Sequence, residues 1–183
     1  ETVFGYYTKY DCSSGDINPI GSLNKQNVRK VLQWAAEKEP LKCGVVREIL
    51  LQQPSAELRP PAAATAAAAA AAQTDEEEMG LSYDELSLFN FLRFNLRCGP
   101  FSLFLQTLRL GQTANPDALY RLVRRFFWGY TRNRHKSATL TAGAHLVDLA
   151  SGDKELDLRP LLYPSLEWQF REMRKKLGFR EGV

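Results

Sequence analysis

The sequence predicts a mostly helical chain with long polar loops between its helices. Three observations predict it. Apolar residues recur at helical spacing around residues 28–36, 86–96 and 119–127. Helix-start chemistry stands ahead of each stretch: Asn24, the pair Ser82 and Glu85, and Asn115 followed by Pro116. No segment carries a strong strand signal, so any parallel sheet is expected to lie mostly before Glu1. At 183 residues and 44% hydrophobic, the chain suffices for one domain with a sizeable core.

The chain opens on a loop. GYYTKYDCSSGDINPIGSLNK, residues 5–25, has too few apolar positions for a core helix or strand, yet it holds Lys9, Asp11, Asp16 and Lys25. A helix is expected next, with Asn24 as N-cap and Lys25 as its first residue. Leu23 and Val28 would staple its start, and Val28, Val31, Leu32, Ala35 and Ala36 would form its buried face. VVREILL reads as a shorter helix, left through Pro54 into a loop. Residues 59–74, RPPAAATAAAAAAAQT, are low in complexity. Alanine favours helix, but this run has no face with which to dock, and nucleating so short a helix is costly. The tract is expected to be an exposed insertion.

Ser82 and Glu85 would make a capping box for the next helix, with Leu81 and Leu86 as its staple. Leu86, Phe89, Leu92 and Leu96 would be its buried face, and Arg93, at the border, would snorkel into water. CGP at 98–100 stops that helix and can start another, FSLFLQTLRL. Asn115 and Pro116 open the last long helix, whose buried stripe is Leu119, Leu122, Val123, Phe126 and Phe127. After RNRHK the chain turns irregular. DLRPLLYPSLEWQF is expected to be an extended surface segment, and the last dozen residues a basic tail.

With 24 basic and 21 acidic residues, the net charge of +3 suits an anionic small molecule as well as weak nucleic-acid contact. Cys12, Cys43 and Cys98 form no metal pattern, and their odd count suggests free thiols in a reducing compartment such as the cytoplasm. No apolar run approaches the roughly 18 residues of a membrane span. The chain does not begin with Met, and its first residues read as the end of an element, so it is expected to be a piece whose N-terminal part is missing.

Several residues suggest chemistry, each beside a plainer role. Lys25 puts a cation in the first turn of a helix, against the macrodipole. That placement suits a phosphate held between the lysine and the helix N-terminus, or else a solvated lysine. Asp16 is a turn residue or a ligand, and Lys9 a surface lysine or a ligand. The acidic run at 75–78 is a solvated lead into a helix or a divalent-ion site. RRFFWGYTRNRHK resembles a basic, aromatic nucleic-acid patch. Helical spacing assigns Phe126 and Phe127 to the core instead, and Arg121, Arg124 and Arg125 to the outer face. His135 and Lys136 are adjacent donors suited to a phosphate or amide, or a basic surface turn. With no glycine-rich phosphate loop, zinc spacing or Ser-His-Asp order present, spacing alone reaches an anion-binding helical piece.

The ordered set TKYDCSSGDINPIGSLNK, PSAEL, DEEEMGLSYDELS, CGPFSLF, NRHK and DLRPLLYPS closely resembles the synthetase domain of glutamine-dependent NAD synthetases of the long eukaryotic type. The resemblance covers nearly the whole chain except the alanine tract. It implies an α/β fold, with residues 1–183 as the C-terminal, mostly helical part of a Rossmann-like adenine nucleotide alpha-hydrolase (ATP pyrophosphatase) domain. The ATP pyrophosphate loop and the nitrilase-like glutaminase domain would precede Glu1. It also implies a ligase reaction. ATP adenylates the nicotinate carboxylate of deamido-NAD, and glutamine-derived ammonia attacks the acyl-adenylate to give NAD and AMP. Magnesium would offset the charge of the carboxylate and the triphosphate.

By the same resemblance, Lys25 and Ser55 would bind ATP. Ser55 stands where the family usually has Thr, and its hydroxyl can still bond a phosphate. Lys9, Asp16, His135 and Lys136 would bind deamido-NAD, and Glu1 would ligate magnesium. A homo-oligomer is implied, and neither nucleic acid nor membrane is an expected partner. Asp75, Glu76 and Glu78 follow the family's acidic pattern, with Glu at a place where Asp is common. AGAHLVDLASG departs from the family's run, so nothing is carried over there, and SLEWQF replaces a Pro- and Trp-rich version. The alanine tract falls in a loop that in the family closes over the active site. A silent paralogue acting as an assembly or regulatory subunit is the alternative function. An intact ATP loop and glutaminase cysteine ahead of Glu1 would discriminate against it. RNA binding through residues 121–136 is a third, and it requires salt-sensitive oligonucleotide binding.

Overall fold

The computed structural model describes residues 2–8, 10, 15–38, 44–52, 74–111, 115–146 and 165–178. They fall into two compact units: Leu23–Tyr83, and Glu1–Ser22 together with Asp84–Val183.

The first unit holds α1 (Lys25–Glu37), α2 (Gly44–Leu51) and the short α3 (Asp75–Met79). Helix α1 begins where its cap predicts: the Asn24 side chain accepts from the Asn27 amide at 2.8 Å. It packs on α2, and Arg29 donates to the Leu50 carbonyl at 3.0 Å, near the end of α2, where carbonyls lack helical partners. The expected burial does not follow. Ala36 is the one buried residue of α1, while Val31 is 52% and Trp34 54% exposed. Two short helices packed together cover only one side of each other, so among the described residues of this unit most of the stripe has no second layer above it.

Helix α3 carries a capping box beyond those expected from the sequence. Thr74 Oγ1 accepts from the Glu77 amide at 3.3 Å, and Glu77 Oε2 accepts from the Thr74 amide at 3.5 Å. Gly80, at φ 66°, ends this helix in the left-handed region.

The second unit is built from α4 (Tyr83–Phe94), α5 (Pro100–Arg109), α6 (Pro116–Asn133), a 3₁₀ turn (Arg134–Thr139) and α7 (Glu167–Lys176). Helix α6 is its spine. Asn115 caps it, accepting from the amides of Asp117 and Ala118. Leu119, Val123, Phe126 and Phe127 are buried as predicted, while Leu122 lies at the margin. Phe126 meets Phe89 of α4 edge-on at 5.4 Å between centroids, and Tyr120 meets Phe170 of α7 at 6.3 Å. Each such pair contributes about 0.5–1.5 kcal/mol beyond its buried area.

Helix α4 ends earlier than the sequence suggests. Arg97 takes φ 53°, and the Cys98 amide closes back on the Leu92 carbonyl at 2.9 Å. Leu96 therefore falls outside the helix and is exposed, and Phe94 is buried instead. Arg93 also departs from expectation. Its guanidinium does not snorkel outward but donates to the Cys98 carbonyl at 3.1 Å and lies 5.2 Å from the Tyr130 ring centroid. The aromatic faces and the terminal carbonyl replace its hydration.

The C-terminal residues correct two expectations. Residues 167–170 are not extended, and residues 171–176 are not part of a tail: together they form α7, which buries Phe170 and Met173, while 157–164 and 179–183 lie outside the described residues. Those two apolar residues sit at helical i, i+3 spacing, enough to dock a helix that is otherwise strongly polar. From α7, Gln169 Oε1 accepts the Phe101 amide at 3.1 Å. It thus caps α5, whose N-cap Gly99 has no side chain to do so. Among the described residues no strand forms; Asn18 and Gly143 make an isolated parallel bridge. No helix among them is long and apolar enough to cross a membrane.

Candidate functional site

In the first unit, Lys25 stands at the first position of α1, as expected. Its ammonium lies 5.3 Å from the Tyr83 ring centroid. Tyr83 in turn donates its hydroxyl to Asp75 Oδ2 at 2.7 Å and its amide to Glu76 Oε1 at 2.7 Å. The cation that seemed misplaced at a helix start is thus held near a π face whose phenol is anchored on a carboxylate. Three acids of the run 75–78 belong to this arrangement: Asp75, Glu76 and Glu77 each accept a protein hydrogen bond. Among the described residues no group of three or more His, Cys, Asp or Glu is placed to hold a metal.

In the second unit, the opening loop lies along the chain that follows α6. Asn133 Nδ2 donates to the Phe4 carbonyl at 3.0 Å. Lys136 Nζ donates to the carbonyls of Gly5 and Tyr7, each at 2.7 Å. Thr141 Oγ1 donates to the Gly15 carbonyl at 3.0 Å. The Asn18 amide bonds the Ala142 carbonyl at 2.8 Å, and the Ala144 amide bonds the Asn18 carbonyl at 3.0 Å. Finally the Leu146 amide donates to Ser22 Oγ at 2.9 Å. The partners advance together along both segments, so the two run parallel.

Local sequence explains the fit. Gly5 has φ 78°, and a side chain there would strike that of Asn133. Gly21 and Gly143 approach so closely that a Cβ on Gly21 would sit 3.1 Å from the Gly143 Cα. Phe4 is buried beside Gly129 of α6, with the Arg125 guanidinium 5.5 Å from its ring centroid.

Asp16 is exposed on this loop, between Gly15 and Asn18, which are both tied to residues 141–144. His135 and Lys136 share the 3₁₀ turn. His135 Nδ1 lies 3.1 Å from the Arg132 carbonyl. A carbonyl only accepts, so Nδ1 carries the proton and Nε2 is left as the second polar atom of the ring. Lys136 has three N–H donors and gives two to carbonyls. Burial pushes its ammonium below the usual lysine range. Asp16, His135 and Lys136 thus belong to one unit, and Lys25 to the other. Glu1, Lys9 and Ser55 lie outside the described residues.

Sequence reasoning missed Asn133, Thr141 and Tyr83. A faint signal existed for the segment around Thr141: the small residues Ala142, Gly143 and Ala144 permit close backbone approach. The expected division of RRFFWGYTRNRHK holds except at Arg125, which is half-buried with its guanidinium over the buried Phe4 ring, while Arg121 and Arg124 are exposed. Phe126 and Phe127 are core, while Arg124 pairs with Glu167 at 4.0 Å on the surface and Arg132 lies against Trp128.

Comparison with known proteins agrees with the resemblance in the sequence. Residues 1–95 match the family model described as NAD synthase. The glutamine-dependent NAD(+) synthetase of Rattus norvegicus is 42% identical over 172 residues, covering 93% of this chain and 23% of the relative. That of Homo sapiens is 42% identical over 173 residues, covering 93% of this chain and 24% of the relative. The chain therefore spans about a quarter of the length of these relatives. With more than half of its residues inside the family model, the chain belongs to the NAD synthase family.

Proposed function

We propose that this chain is the C-terminal portion of the synthetase domain of a glutamine-dependent NAD synthetase. In this reading residues 59–74 are an inserted tract, and the described helices belong to a Rossmann-like nucleotide alpha-hydrolase domain. The protein amidates deamido-NAD at the expense of ATP, through an acyl-adenylate and with ammonia released from glutamine by a nitrilase-like glutaminase domain. The observation that carries the reading is near-complete coverage of this chain, 93%, at 42% identity to relatives bearing that name.

The roles of the residues follow from charge and placement. Lys25, at a helix start, meets the anionic triphosphate, where helix dipole and ammonium act together. Ser55 adds a hydroxyl contact to ATP. Asp16, Lys9, His135 and Lys136 hold deamido-NAD, and the Nε2 of His135 and the third N–H of Lys136 are the atoms available for it. By the family resemblance, magnesium is assigned to Glu1, which lies outside the described residues. When bound it would neutralise the reacting anions. The enzyme is taken to be a cytoplasmic homo-oligomer.

The test is NAD formation by the full-length protein with ammonia as nitrogen donor, in wild type and Lys25→Ala. Losing one phosphate contact of this kind costs on the order of 2 kcal/mol or more. Wild-type turnover and ATP KM in the variant would remove Lys25 from the site, and an inactive wild type would remove the function.

A further inference from the structure

The parallel register between the opening loop and the chain after α6 is held at both ends of the loop. Hydrogen bonds tie Phe4, Gly5 and Tyr7 at one end of the loop, and Gly15, Asn18 and Ser22 at the other. All their partners lie within residues 133–146, and they occur in the same order. Long loops are costly to hold in one conformation, and each fixed residue loses about 1–2 kcal/mol of backbone freedom. A segment that binds carbonyl after carbonyl offsets that loss where the loop has no core of its own. The glycines at 5, 21 and 143 clear the way for the contact.

We propose that residues 133–146 are a positioning template for the dinucleotide site, with Asn133 and Thr141 as positioning residues. They touch no substrate in this scheme. Asn133 fixes the loop start through Phe4, and Thr141 fixes Gly15, the residue before Asp16. His135 and Lys136 lie on the template itself, so loop and template set the spacing between two groups of ligand contacts. The inference rests on the proposed binding of deamido-NAD by Asp16, His135 and Lys136.

The experiment compares full-length wild type with Asn133→Leu, Thr141→Val and Thr141→Ser. Amide hydrogen exchange of residues 15–22 and the KM values for deamido-NAD and ATP are measured, with ammonia as donor. In Thr141→Val, exchange accelerates and the deamido-NAD KM rises about fivefold, the equivalent of one hydrogen bond, while the ATP KM holds. Asn133→Leu raises the same KM, and Thr141→Ser, which keeps the hydroxyl, restores both readouts. An unchanged deamido-NAD KM in both apolar variants overturns the inference, as does equal loss in Thr141→Ser. If wild type makes no NAD, the functional reading fails, and exchange alone decides the template: no acceleration in either apolar variant refutes it.

Discussion

The ammonium of Lys136 donates to the carbonyl oxygen of Gly5 at 2.7 Å, joining positions 131 residues apart in sequence. With its second bond to Tyr7 and the Tyr7 ring 5.4 Å away, the cation is partly withdrawn from water.

This withdrawal sets a pH dependence. Burial lowers the folded-state pKa of Lys136 below that of the unfolded chain, about 10.4. Between those two values the unfolded state binds more protons than the native state, so the contribution of Lys136 to stability rises with pH across that window. Below the folded pKa both states are protonated and the contribution is flat. Unfolding of wild type and Lys136→Met is to be compared from pH 7 upward. The stability difference should move in favour of wild type as pH rises through the alkaline range. A difference that shrinks there would reverse the sign.

The ring and the hydroxyl of Tyr83 meet different neighbours, and these can be separated. Tyr83→Phe keeps the ring near Lys25 but strips the hydroxyl from Asp75, a residue only 7% exposed. Leaving a buried acceptor without its donor costs about 1–3 kcal/mol. Tyr83→Leu also removes the π face, adding about 0.5–1 kcal/mol. Denaturant unfolding should rank wild type, Tyr83→Phe and Tyr83→Leu in falling order. Equal stability of Tyr83→Phe and wild type would show that the phenol–carboxylate bond contributes nothing net.

Phe4 and Gly129 form a packing pair. A Cβ added at Gly129 would overlap the Phe4 ring, whereas alanine is otherwise the better helix former there. Gly129→Ala should therefore destabilise by about 1–3 kcal/mol through overpacking. Adding Phe4→Ala should cost less than it does in the wild-type background, because removing the ring also relieves the clash. A double-mutant cycle measures that coupling. Strict additivity would mean that the ring does not rest on the glycine.

What the sequence made legible was local. Asn24 and the Asn115–Pro116 pair announce helix starts because the cap and the amides it serves lie within three residues. The α6 stripe was legible because helical periodicity repeats over five turns. The failures are long-range or depend on neighbours. Arg93 turns inward because Tyr130 and the Cys98 carbonyl receive it, and no spacing rule contains them. The apolar face of α1 is periodic but remains uncovered among the described residues, since periodicity shows a face without its partner. At the candidate site, the position of Lys25 was readable from its helix start. That Lys136 grips Gly5 and Tyr7, and that Asn133 and Thr141 hold the same loop, depends on pairings more than 120 residues apart.

Gln169 links the helix that sequence reasoning missed to the start of α5. Its Oε1 accepts the Phe101 amide at 3.1 Å, standing in for the side chain that Gly99 lacks. Gln169→Ala should cost about 0.5–2 kcal/mol, the usual loss of an N-terminal cap. Gln169→Glu keeps the acceptor and places a negative charge near the positive end of the helix dipole. At pH 7 it should be at least as stable as wild type, by about 0.3–1 kcal/mol. The carboxylate would have a folded pKa lowered by the helix end, so its advantage is present above the unfolded value of about 4.3 and lost as pH falls through the folded one. Melting curves of the three proteins at pH 7 and at pH 3 separate these effects. If Gln169→Glu melts below wild type at pH 7, the glutamine carbonyl is not acting as a helix cap.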